Sequence, residues 1–204
     1  MKSLAIASLL LTASLLGACN LVPTREPASL YTLPAEPLPA ATEDNAVAEL
    51  TLHLATPHAG RLLDGARIVV LPEPHRPSVY QGVRWADEAP ALLRDRLLDG
   101  FREDGRLSRL TRGESAFPSD LTLATDLRAF QSEYVEGHPE AVVTLDVQLV
   151  DSRSQRLLAS HRFSQRQTAQ TTEIADVVEA LGLATDRLTG ELVNWTLSEI
   201  RQHR

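Results

Sequence analysis

Hydrophobic residues change their period along this chain, and each change marks a structural element. Leu50, Leu52 and Leu54 alternate with polar residues, and residues 67–71 (RIVVL) form a β-branched run closed by Pro72, so both stretches predict strands. The proline-rich PEPHRPSVYQG that follows predicts a loop, and residues 83–86 a further short strand. Ala89, Leu93, Leu97 and Phe101 then recur every four residues, the buried stripe of a helix. Asp87 is its expected N-cap, Pro90 is tolerated in the first turn, and Gly105 marks its end.

After a short apolar piece at 107–110, alternation returns. Leu121, Leu123, Thr125, Leu127 and again Ala129 lie on one side of a long strand reaching Tyr134. Residues 141–150 (AVVTLDVQLV) alternate likewise, the DSRSQ segment at 151–155 is a turn, and 156–167 supply a third strand, which together predict an antiparallel meander. Past Thr172, read as an N-cap, Ile174, Val177, Leu181, Ala184, Leu188, Leu192 and Trp195 keep a three-four spacing characteristic of a long amphipathic helix. One apolar stripe must be covered by a sheet or another helix. The expected fold is therefore α+β: an antiparallel or mixed sheet with two main helices packed on one face, in the order strands, helix, strands, helix, forming a single domain over residues 49–204.

The front of the chain obeys neither period. Residues 1–18 combine an early lysine, an apolar run too short to span a bilayer, and small residues at its end, which is the anatomy of a cleaved export signal. Residues 19–48 hold Pro23, Pro27, Pro34, Pro37 and Pro39 and predict an extended, semi-rigid tether. Within it Ser29–Leu33 (SLYTL) is an apolar island suited to an edge strand or to docking on the domain.

Composition narrows the function. Hydrophobic residues at 43% imply a packed core, and aromatics at 4% make that core aliphatic. A net charge of −7 without a basic run argues against nucleic-acid binding. The six histidines form no HxH or HxxxH pair, so no metal is expected, and neither a G-x-S-x-G elbow nor a phosphate-binding loop occurs. Glu133 and Glu136 come nearest to a carboxylate pair, and a charged strand end accounts for them more simply. No enzyme and no dissociable cofactor are expected.

Cys19 is the single cysteine, so it can form no internal disulfide. The sequence LGAC at 16–19 resembles the lipobox of bacterial lipoproteins, in which the cysteine thiol is alkylated by diacylglycerol and, after cleavage, becomes an N-acylated terminus. One acyl chain anchors only marginally, which is the physical reason for several. Asn20 differs from the aspartate that retains many such lipoproteins at the inner membrane, so the resemblance implies the periplasmic face of the outer membrane.

Further motifs extend the resemblance. The lipobox, Tyr31-Thr32-Leu33, IVVLP at 68–72 with the later VYQGVRWADEAPALL, the strand DLRAFQSEYVEG and the pair AVVTLDVQLVDSRSQRLLASHRF are together similar to the ABC-type transport auxiliary lipoprotein family. Membership implies a non-catalytic, outer-membrane-anchored subunit of a lipid-transport system. Its implied partners are a periplasmic protein with MCE domains and an ABC permease and ATPase, with a homo-oligomer left open. Tyr31, Arg84 and Trp85 are the candidate partner-facing residues, a Trp beside an Arg being a pair enriched at interfaces. The alternative is a carrier lipoprotein that binds a lipid or another lipoprotein itself.

Overall fold

The computed structural model describes residues 27–39, 49–113 and 118–203. In chain order its strands are β1 (Ser29–Tyr31), β2 (Thr51–Leu54), β3 (His58–Ala59), β4 (Val69–Glu73), β5 (Arg76–Val79), β6 (Val83–Trp85), β7 (Arg109–Arg112), β8 (Leu121–Val135), β9 (His138–Asp151) and β10 (Leu157–Thr168). Helix α1 (Ala89–Asp104) follows β6, and helix α2 (Ile174–Gln202) closes the chain.

Strand β8 organises the sheet. One edge pairs with β9, and β9 with β10, giving the expected antiparallel meander. Along its other edge three short strands lie one after another, all parallel to it: β2 at Leu121–Leu123, β3 at Asp126–Leu127 and β4 at Gln131–Glu133. Strand β7 extends the sheet from β2 in parallel, and β5 returns antiparallel from β4. The sheet is thus mixed, with eight strands, and β1 and β6 form a separate parallel pair.

Alternation along β8 does not run unbroken to Ala129. A register shift between Leu127 and Ala129 moves the phase by one residue, so that Phe130, and not Ala129, pairs opposite the core-facing Val143. The proline-rich PEPHRPSVYQG, expected to be a loop, is mostly the β4–β5 hairpin, turning at His75 with φ +63°. Its prolines are tolerated because β5 is an edge strand and the β4–β5 ladder is itself irregular between Val70 and Glu73.

Both helices lie on the inner face of the sheet. Ala89, Leu93, Leu97 and Phe101 of α1 are buried as their spacing predicts, and so are Val177, Leu181, Ala184, Leu188 and Leu192 of α2; Ile174 and Trp195 are half-buried. The expected caps differ by one residue. Glu88 and Glu173 occupy the N-cap positions without side-chain bonds. Asp87 instead accepts the Glu88 N–H at 2.7 Å, and Thr171, not Thr172, accepts the Glu173 N–H at 3.1 Å. Gly105 ends α1 in the left-handed conformation at φ +77°, as expected.

The outer face of the meander is a lattice of charges. Arg162 forks onto Asp146 at 2.5 and 2.7 Å, and Arg166 joins Glu140 at 2.5 Å to Glu133 at 2.9 Å. The Arg162 guanidinium holds the Asp146 carboxyl below the usual carboxylate range. With Glu133 committed to Arg166, and Glu136 in the hairpin turn at φ +50°, the two carboxylates do not form a pair.

The helices meet across Gly100, where an added Cβ would collide with the Thr189 methyl on α2 and come within 3.1 Å of Leu38. Thr189 is buried and β-branched, so it has little room to yield. Gly100→Ala is therefore expected to destabilise by about 1–3 kcal/mol despite a helix-propensity gain of about 1 kcal/mol. Urea denaturation checks this, and a variant as stable as the parent would contradict the packing.

Candidate functional site

Parallel pairing of β1 with β6 brings the candidate residues together: Leu30 lies opposite Arg84 and Tyr31 opposite Trp85, and the Tyr31 carbonyl accepts the Ala86 N–H at 2.7 Å. They do not share one surface. Trp85 is only 1% exposed and packs on Phe130 with ring centroids 5.5 Å apart. It belongs to the core, and a partner cannot reach it in the folded domain; its indole N–H finds no acceptor among the described residues. Arg84 and Leu30 are exposed and Tyr31 is half-buried, so this small ridge is what remains of the candidate interface. Cys19 lies outside the described residues.

Beyond β1 the chain does not leave the body. Residues 33–38 lie on the two helices as a strap, within the stretch read from sequence as a tether. Its polar grip is a cluster of side chains from both helices. Arg96 of α1, its side chain 3% exposed, donates from Nε to Asp186 of α2 at 2.5 Å and from Nη1 to Glu103 at 3.2 Å. Its remaining Nη2 donates to the Glu36 carbonyl at 2.7 Å. In return Asp186 accepts the Glu36 N–H at 2.8 Å, and Glu103 accepts the Leu38 N–H at 2.9 Å. Burial works against the charge on Arg96, but the hydrogen bond and charge of Asp186, followed by those of Glu103, raise its pKa further above the ordinary value.

Shape completes the grip. Gly182 of α2 lies so close beneath Pro34 that a Cβ there would sit 2.7 Å from the Pro34 carbonyl oxygen. Leu38 fills the space over Gly100 and Gly190. None of Arg96, Glu103, Asp186 or Gly182 was singled out from sequence. The available signal was the glycines inside helical patterns, since each costs about 1 kcal/mol against Ala and is retained where another chain passes close by.

Among the described residues several histidines are engaged locally. His53 bonds Thr111 at 3.1 Å, His58 sits by Asp126 at 3.3 Å, and His161 packs edge-on against Phe163 and tilted against Trp195. Among the described residues no three His, Cys, Asp or Glu are placed to hold a metal ion, and no helix is long and apolar enough to cross a membrane.

Comparison with known proteins decides the family. The model of the ABC-type transport auxiliary lipoprotein component matches residues 31–193. The chain belongs to this family. Its match begins at Tyr31, so the strap lies within the family's shared region together with the sheet and α1. The crystal structure of protein XCC0632 from Xanthomonas campestris is 32% identical, with a TM-score of 0.80 over 86% of this chain and 98% of that one. Another crystal structure, of an uncharacterized protein, shares the fold at 17% identity and a TM-score of 0.65, covering 84% of this chain and 99% of the other. The uncharacterized protein bll6063 of Bradyrhizobium diazoefficiens is 26% identical over 147 residues, 72% of this chain. That match spans 39% of the Bradyrhizobium protein, which is much the longer of the two. The family is one of auxiliary transport lipoproteins associated with an ABC system and is not a known enzyme family.

Two substitutions separate the electrostatic grip from the steric one. Asp186→Ala removes the carboxylate that neutralises buried Arg96 and is expected to cost about 3 kcal/mol or more in chemical denaturation. Gly182→Ala, by contrast, is expected to leave the helices folded while lifting the strap, seen as faster amide exchange confined to residues 29–38. Unchanged exchange there would mean that the close approach at Pro34 does not hold the strap.

Proposed function

We propose that this chain is a non-catalytic accessory subunit of an ABC/MCE-type lipid-transport system. Diacylglycerol and an N-acyl chain on Cys19 hold it at the periplasmic face of the outer membrane, where it docks or stabilises the periplasmic MCE component. The observation that carries this reading is the strap: in a family of transport auxiliary lipoproteins, the segment that follows the anchor is clasped by both helices. A strap seated in this way shortens the reach between anchor and body to the residues before Ser29, which keeps a docking protein close to the membrane and which a freely diffusing carrier does not need. The exposed Arg84, opposite the exposed Leu30, offers the MCE component a cation beside an apolar side chain, on a ridge whose strands are braced by the buried Trp85. Nothing in this role asks the chain to hydrolyse ATP, a task that falls to the partner ATPase.

Cys19→Ala is expected to leave the protein soluble in the periplasm or as an unprocessed precursor, as judged by fractionation and intact mass. Tagged parent protein is expected to retain an MCE partner, and Arg84→Glu to weaken that retention at least several-fold without altering the melting temperature. A mature protein still fractionating with the outer membrane without Cys19 would refute the anchor. One bound lipid per chain in native mass spectrometry would favour the carrier reading instead.

A further inference from the structure

The sheet has two ends of different character, and the strap decides which of them the anchor can bring to a membrane. At one end lie the β4–β5 turn at Pro74–His75 and the β8–β9 turn at Glu136–Gly137. Between these turns Leu71, Pro74, His75, Glu133, Tyr134, Val135 and Arg166 line an open cleft of about 460 Å³. Val135 is 48% exposed at its lip, beside exposed Pro74, His75 and Arg76. At the other end, around Asp120, the 151–156 turn and the end of α2, the cleft is smaller, about 240 Å³, and Leu157 is 52% exposed.

Chain direction links the N-terminus to the first end. The Tyr80 N–H bonds the Ile68 carbonyl and the Trp85 N–H bonds that of Ala66, so the chain from 80 to 85 runs opposite to β4 and β8. Because β1 is parallel to β6, following β1 backwards from Tyr31 to Ser29 leads towards the two hairpin turns. Trp85 packs on Phe130, which puts β1 about level with Phe130: roughly 17 Å from the tip of β8 and roughly 30 Å from its start.

The length of the leash then discriminates. If residues 19–48 were all free, about thirty residues would separate lipid from domain and either end could meet the membrane. With the strap seated, only about ten residues lie between Cys19 and Ser29, and as the extended, proline-containing spacer read from sequence they reach about 30 Å. Because the chain enters β1 from the side of the hairpin turns, that reach covers the near end, about 17 Å away; the far end, about 30 Å back along the sheet, needs the spacer to reverse direction at full length. Extending from the anchor reading above, we propose that the hairpin end is a membrane-contact surface, on which Val135, Tyr134 and Pro74 meet the phospholipid headgroup and upper acyl region while His75 and the Arg76–Glu73 ion pair, 3.2 Å apart, lie among the zwitterionic headgroups. So small an apolar patch would bind a bilayer weakly by itself, but the anchor makes the contact intramolecular, and a weak contact then suffices to orient the body.

The test uses the full chain, acylated at Cys19, in vesicles of phosphatidylethanolamine and phosphatidylglycerol. Val135→Cys and Leu157→Cys each introduce one free thiol, since the native cysteine is consumed by the lipid, and both positions are exposed enough to accept an environment-sensitive fluorophore. With quenchers carried on the acyl chains, quenching at 135 is expected to exceed that at 157 at least twofold. Equal quenching, or more at 157, in protein whose mass confirms acylation would overturn the membrane face and leave the anchor standing. An unmodified Cys19 would instead overturn the anchor and this inference with it. Shielding of 135 that needs an added MCE protein would assign this end to a protein partner and also sink the proposal.

Discussion

A guanidinium withdrawn from water governs the front of this molecule. Arg96 is buried between two helices with Asp186 and Glu103 as its counter-charges, and each partner also binds the backbone of the strap. Desolvating these charges is expensive, and the geometry offsets that expense only when every donor and acceptor is matched. Glu36 and Leu38 complete the matching: one supplies a carbonyl to Arg96 and an N–H to Asp186, the other an N–H to Glu103. The strap is thus the missing part of a polar cluster whose other members belong to the helices. Together with the packing of Pro34 and Leu38 over Gly182 and Gly100, this explains why a proline-rich stretch without regular secondary structure stays docked.

The same cluster ties secondary structure to topology. Arg96 and Glu103 come from α1 and Asp186 from α2, so gripping the strap also fixes how the helices pack. Gly100 lets them approach closely and Gly182 lets the strap lie flat. A second clamp at the far end of α1, where Arg106 bonds both Asp104 and Asn194, holds the same pairing. Beneath the helices, β8 carries the meander on one edge and three short parallel strands on the other, so the elements before α1 and those after it share one core.

For function, this arrangement changes the meaning of the prolines that follow Cys19. Read as free chain they all add reach; seated on the helices, Pro34 and Pro37 add none. The charged outer face, with its Arg162–Asp146 and Arg166–Glu140 forks, stays hydrated and keeps the meander from offering an apolar surface to stray contacts.

Hydrophobic period carries the local order of this chain. The stripe from Ala89 to Phe101, the alternation from Leu121 to Leu127 and from Val143 to Leu149, and the three-four spacing of α2 determine two helices, a meander and their sequence, because burial of a regular element demands a regular pattern. Four things escape the pattern, each set by its place in the folded sheet and helices. The phase shift beside Arg128 comes from pairing with β9, the proline hairpin is tolerated because it sits on an edge, and Trp85 turns inward because Phe130 awaits it. The strap escapes most completely. Nothing local in residues 33–38 announces it, since its stability resides in a carboxylate 150 residues away and in glycines that matter only once another backbone lies across them. Sequence alone determined which elements form; the tertiary structure decided that residues 33–38 belong to the body, because only there do Arg96 and Asp186 meet.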